Sequence, residues 1–142
     1  MKYLLDTNVL REIGRASPHE HVTTWMASVD DADLAISALT VREVIKGITK
    51  LRESKPNVAA AIAARMTTVF DAFDNRILAV DRAIAEVWGE MVATSEKHID
   101  DTGLAATAWV HGLVLVTRNT KHVQGRGVKL LNPFKSPPER LH

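Results

Sequence analysis

Short unbroken apolar runs alternate along the chain with segments whose apolar residues recur every three to four positions. Tyr3-Leu4-Leu5, Leu34-Ala35-Ile36-Ser37, Arg76-Ile77-Leu78-Ala79-Val80 and Leu113-Val114-Leu115-Val116 are of the first kind and read as strands. Val128-Lys129-Leu130-Leu131 is a candidate fifth. Asp6-Thr7-Asn8 stops the first run with three good capping residues, predicting a short helix to about Arg15, ended by Gly14 and the Ser17-Pro18 step. Ser17-Pro18-His19-Glu20 has a capping-box pattern, followed by Val22, Trp25, Met26 and Val29 at helical spacing. Asp30, Asp31 and Asp33 mark a turn. Thr40-Val41-Arg42-Glu43 opens a helix along which Val41, Val44, Ile45, Ile48 and Leu51 repeat, and Pro56 separates it from an alanine-rich helix over 57–73. Asp81 caps a helix carrying Ile84, Val87, Trp88, Met91 and Val92. Asp101-Thr102 opens another with Leu104, Ala105, Ala108 and Trp109, punctuated by Gly112.

Strands that are apolar at every position must be covered on both faces, and their alternation with helices predicts parallel pairing. The expected architecture is therefore a three-layer α/β/α domain with a mainly parallel four- to five-stranded sheet. One domain is expected over residues 1–142, with a loosely held tail after about Pro133. Composition agrees: 46% apolar and 25% charged residues describe a globular chain and exclude disorder as a whole. No apolar run approaches the roughly 20 residues of a membrane span. Asp6 interrupts the stretch that a secretory signal would have to continue. There is no cysteine, hence no disulfide framework and no thiolate metal site. A cytoplasmic protein without membrane contact is expected.

The net charge of +1, from 18 basic and 17 acidic side chains, argues against a protein that coats nucleic acid. Its distribution changes the picture. Residues 118–142 carry six basic side chains and one acid, whereas residues 1–117 carry 12 basic and 16 acidic ones.

Sites in open α/β sheets form beyond the carboxyl ends of the strands. Asp6 ends the first strand, Glu43 sits about a turn into the helix after the second, and Thr117-Arg118-Asn119 ends the fourth. Asp101 begins the helix leading into the fourth strand. Three carboxylates and an amide from distant stretches thus converge on one rim. Like charges in close proximity repel unless a cation sits among them, and a hard divalent ion with oxygen ligands is the ordinary solution. Each residue also has a purely structural reading. Asp6 and Asp101 (or its neighbour Asp100) can be helix caps, Thr40-x-x-Glu43 matches a capping box, and Thr117 and Asn119 suit a turn. His98, His111 and His122 share no i,i+4 face and read as ordinary histidines. Nucleotide-cradling glycine loops and a G-x-S-x-G elbow are absent.

Four blocks carry a resemblance: Tyr3-Leu4-Leu5-Asp6-Thr7-Asn8-Val9-Leu10; Ile36-Ser37 with Thr40-x-x-Glu43 and Gly47; Asp101-Thr102-Gly103-Leu104-Ala105-Ala106-Thr107-Ala108; and Leu115-Val116-Thr117-Arg118-Asn119. In this order and spacing the chain resembles the PIN-domain ribonucleases, most of all the VapC toxins and their FitB-like relatives, from residue 2 to about Asn132-Pro133. The resemblance implies a Mg²⁺- or Mn²⁺-dependent endoribonuclease acting on RNA as the toxin of a type II toxin–antitoxin pair. It implies a homodimer neutralised by a VapB-like antitoxin, with operator DNA bound only through the antitoxin. Carried over by position, the acidic quartet begins with Asp6, Glu43 and Asp101; Asp101 is preferred to Asp100 because it stands four residues before the Ala-Ala-Thr-Ala block. The fourth position departs from the family pattern. Relatives carry an aspartate at the place of Asn119 or three residues on, and here these are Asn119 and His122. An amide can still hold a metal or its water but brings no charge. Thr7, Asn8, Thr40 and Thr117 are expected to orient carboxylates, water or phosphate, and Arg118 to contact phosphate or pair with an acid. Arg11, Arg15, Trp25 and Met26 are candidates for an antitoxin-facing surface, with Trp25 and Met26 reading equally well as core. The alternative function is a non-catalytic binding module on the same fold, which the missing fourth acid favours.

Overall fold

The computed structural model describes every residue from Met1 to His142. Six strands form one sheet: β1 (Tyr3–Leu5), β2 (Leu34–Ser37), β3 (Ile77–Leu78), β4 (Val114–Val116), β5 (Leu130–Asn132) and β6 (Glu139–Leu141), in the order β3-β2-β1-β4-β5-β6. The first five are parallel, and β6 runs antiparallel to β5. Seven helices accompany them: α1 (Thr7–Leu10), α2 (Glu20–Ala27), α3 (Ala38–Ser54), α4 (Pro56–Phe73), α5 (Arg82–Thr94), α6 (Ile99–His111) and α7 (Thr120–Val123). The expected mainly parallel α/β architecture is present.

Side chains one apart on a strand point to opposite faces, so each apolar run feeds two cores. Leu5, Ile36, Val116 and Leu131 pack with residues of α1 to α4, including Val9, Trp25, Ile48 and Met66. Their neighbours Leu4, Ala35, Leu115 and Leu130 pack with Leu104, Ala105 and Ala108 of α6 and Val123 of α7. This two-sided burial is why the strands show no polar alternation. Helix α6 is buried from Thr102 through Ala108, and its small residues permit close approach. A Cβ on Gly103 would lie 2.7 Å from Leu39 and 2.9 Å from Trp88.

Several boundaries differ from the sequence reading. The tail after Pro133 is not loose: Leu141 pairs with Leu130 and packs against the second core, giving a sixth strand where four or five were expected. Three strand residues behind Pro137-Pro138 present too short a pattern to read. The first helix stops at Leu10 rather than Arg15, and β3 is two residues long rather than five. Helix α2 is capped by His19, whose Nδ1 accepts from the His21 amide at 3.2 Å, and not by Ser17. Helix α3 is capped by Ser37, whose hydroxyl accepts from the Leu39 amide at 3.0 Å, so Thr40 lies inside the helix and is no cap. Trp25 is 4% exposed and meets Tyr3 edge to face at 5.2 Å. It belongs to the core and cannot present a surface to an antitoxin.

Candidate metal centre

Strand β1 lies between β2 and β4, and the chain leaves these neighbours toward opposite edges of the sheet. The crevice this opens lies beyond the carboxyl ends of β1 and β4. Asp6 directly follows β1 and Thr117 directly follows β4. A cleft of about 630 Å³ there is lined by five carboxylates, those of Asp6, Glu43, Glu96, Asp100 and Asp101.

Asp6 is 5% exposed, and its carboxylate is held by three donors. Its Oδ1 accepts from the Thr7 amide at 2.6 Å. Its Oδ2 accepts from the Thr117 hydroxyl at 2.7 Å and from Asn8 Nδ2 at 3.2 Å. Thr117 in turn accepts from the Asn119 amide at 2.9 Å and from Asn8 Nδ2 at 3.4 Å, while Asn8 Oδ1 accepts from the Arg118 amide at 3.1 Å. The loops after β1 and β4 are thereby tied together around one carboxylate. Asp6 is the N-cap of α1 as well, so its structural and functional readings coexist. Burial pushes its carboxyl above the ordinary range and the nearby charge of Asp101 adds to this, against the hydrogen bonds from Thr117, Thr7 and Asn8.

Asp101 lies in the first turn of α6, and its Oδ2 accepts from His122 Nδ1 at 2.7 Å. Glu43, 38% exposed, reaches the cleft from the second turn of α3. Asp100 also lines the cleft but is taken up by Arg42 at 2.6 Å. Thr7, Asn8, Thr40 and Asn119 complete the lining among the predicted residues. Arg118 does not line it: its guanidinium stacks 3.7 Å over the Phe134 ring. His122 stands behind Asp101 rather than in the cleft lining.

Sequence reasoning missed three contributors. Arg11 lines the cleft, though it had been read only as part of a partner surface; its side chain passes over Gly47, where an added Cβ would lie 3.6 Å from Nη2. Glu96 belongs to no motif. His98, read as ordinary, has its ring stacked on His122 with centroids 3.7 Å apart. No spacing rule signals this pair, because the two residues are 24 positions apart and meet only through packing of α6 and α7.

Two observations fit these residues to a hard divalent cation. The Asp6 carboxyl is raised chiefly by burial and further by the charge of Asp101, and a cation between them relieves both costs of ionisation. The Thr40 hydroxyl oxygen is buried without any hydrogen-bond partner and lines the same cleft. The donors are carboxylate, hydroxyl and amide oxygens, the set that suits Mg²⁺ or Mn²⁺.

An open, mainly parallel sheet with carboxylates clustered at its switch point defines an α/β protein with a candidate cation site. Residues 3–126 match the PIN domain family, and the chain belongs to it. It is 31% identical over 137 residues to toxin FitB of Neisseria gonorrhoeae, spanning 92% of this chain and 97% of that protein. It is 30% identical over 142 residues to the VapC ribonuclease Y4jK of Sinorhizobium fredii, spanning 93% and 97%. Among solved structures, FitAcB from N. gonorrhoeae matches with a TM-score of 0.81 at 31% identity, over 93% of this chain and 98% of that one. FitAB bound to an IR36 DNA fragment matches with the same score and identity, over 94% and 96%. No helix is long and apolar enough to cross a membrane.

Proposed function

We propose that the chain is the toxin of a toxin–antitoxin pair, an endoribonuclease that hydrolyses RNA phosphodiester bonds with Mg²⁺ or Mn²⁺. The observation that carries this reading is the convergence of Asp6, Glu43 and Asp101, from three distant stretches, on one cleft at the sheet's switch point. These three carboxylates would hold the cation. When bound, such an ion polarises a phosphoryl oxygen and lowers the pKa of a water at the site. The chain's own groups do the positioning. Thr117, Asn8 and the Thr7 amide fix both oxygens of Asp6. The unpartnered Thr40 hydroxyl and the Asn119 side chain offer hydrogen bonds to water or a phosphate oxygen, and Arg11 at the rim offers a guanidinium to a neighbouring phosphate.

Similarity to toxin FitB and to a DNA-bound FitAB complex supports neutralisation by a VapB-like antitoxin through which operator DNA is engaged; the proposal further takes the toxin to be a homodimer acting in the cytoplasm. The test is cleavage of RNA by purified protein and growth arrest on induction. Asp6→Asn, Glu43→Gln and Asp101→Asn are each expected to abolish both while leaving the far-ultraviolet circular dichroism unchanged, and EDTA to abolish cleavage by wild type. Cleavage at the wild-type rate by Asp101→Asn, or in EDTA, refutes the reading. A fold retaining no Mg²⁺ affinity at millimolar concentration would support the non-catalytic binding module instead.

A further inference from the structure

His98 and Asp101 line the acidic cleft and His122 stands behind Asp101, and one ligand atom from each of the three lies within 4.8 Å of the others. His122 Nδ1 and Asp101 Oδ2 are 2.7 Å apart, and the His98 ring lies parallel to that of His122 at 5°. The three come from the loop before α6, the first turn of α6, and α7. Their backbones are held. His98 adopts a left-handed conformation with φ of 55°, and its carbonyl accepts from both the amide and the hydroxyl of Thr102 at 2.9 Å. A non-glycine residue kept in that region by surrounding bonds marks a position whose geometry the fold over-determines. The His122 amide donates to the Asn119 carbonyl at 3.0 Å.

We propose that these three side chains form a second cation position, selective for a borderline transition ion of the Zn²⁺ class and sharing Asp101 with the all-oxygen position of the cleft. Two imidazoles and one carboxylate are a donor set that Zn²⁺, Co²⁺ and Ni²⁺ accept and Mg²⁺ does not. Zinc bonds of about 2.0–2.1 Å place tetrahedral ligands roughly 3.3 Å apart. The Asp101–His122 pair opens by about half an ångström to admit the ion, and the exposed His98 ring swings out of its stack to close the third side, leaving the fourth position to water. Asp101 then faces both positions: one oxygen on the histidine side, and a carboxylate that already acts electrostatically on Asp6. A Zn²⁺ ion held here adds positive charge next to the acidic cleft and fixes Asp101 in place of its hydrogen bond to His122.

The site is tested by titrating Zn²⁺ alone into metal-free protein by calorimetry, with imidazole resonances followed by NMR. Wild type is expected to bind one ion at micromolar concentration, with the His98 and His122 resonances shifting together. Millimolar Mg²⁺ should not displace it. His98→Asn, which tolerates the left-handed backbone, and His122→Gln are each expected to weaken binding by about tenfold or more, the least that losing even an outer partner of a metal site costs. Asp6→Asn is expected to bind Zn²⁺ as wild type does, because it removes only the cleft's oxygen donors. Undiminished binding by either histidine variant, equal loss in Asp6→Asn, or no binding by wild type overturns the proposal. The readout is independent of RNA cleavage, so a failure of the nuclease reading leaves this result intact, and the converse holds.

Discussion

Replacing Thr117 by valine removes one hydroxyl from the middle of the site and leaves its shape almost unchanged. Thr117 is 1% exposed, and that hydroxyl donates to Asp6 while accepting from the Asn119 amide. A hydrogen bond to a charged group contributes about 1.5–3 kcal/mol, and a part-buried amide left without an acceptor costs up to about 1 kcal/mol more. The expected loss in metal-free protein at pH 7 is therefore about 2–3 kcal/mol. For a chain of this length that is a fall in melting temperature of roughly 6–10 °C. The pH dependence separates the charged bond from simple packing. Burial raises the Asp6 carboxyl above its ordinary 3.8, and the Thr117 bond is the largest effect opposing this. Without it Asp6 rises further, so the ionised form is penalised more in the folded state. The deficit is thus full above the variant's folded pKa and shrinks as acid protonates Asp6. At the acid end it approaches the roughly 1 kcal/mol of a neutral hydrogen bond. Thermal melts of wild type and Thr117→Val in EDTA from pH 4 to pH 8 measure this. Equal deficits across that range, or none at pH 7, refute the reasoning.

Glu12 offers a stability switch away from the cleft. Its 8%-exposed carboxylate would be raised by burial, but the His19 amide at 2.7 Å and the Arg15 guanidinium outweigh this and hold it below the ordinary 4.5. That stabilisation is present above 4.5 and is lost as pH falls through the lowered value. Glu12→Gln keeps the amide bond and loses the half-exposed arginine, so melts should show about 1 kcal/mol lost at pH 7 and a deficit that shrinks below pH 4.5 as acid protonates the wild-type carboxylate. Gly103→Ala forces a methyl into Leu39 and Trp88. Urea unfolding should show a loss of about 1–3 kcal/mol, with RNA cleavage falling as well because Leu39 adjoins Thr40 at the cleft. An unchanged midpoint would mean that α5 and α6 separate freely.

Much of the fold was legible because parallel strands buried on both faces are apolar at consecutive positions. Leu4 and Leu5, or Leu115 and Val116, announce two cores between them. The order of elements also puts Asp6, Glu43, Asp101 and Asn119 on one rim, since sites in such alternating strand and helix folds lie beyond the carboxyl ends of the strands. Local pattern failed where chemistry was ambiguous over three or four residues. Thr40-x-x-Glu43 has the form of a cap, yet Ser37 does the capping, and only the packed helix shows the Thr40 hydroxyl orphaned over the cleft. Tertiary structure alone decided that Arg118 leaves the cleft to stack on Phe134, that Glu96 enters it, and that the tail closes the sheet. It also decided the meeting of His98 with His122. Periodicity reports which face of an element is buried, but not which side chains from separate elements come within bonding distance. That depends on how α6 and α7 pack on one sheet, a sum of many small contacts with no counterpart in any local stretch of sequence.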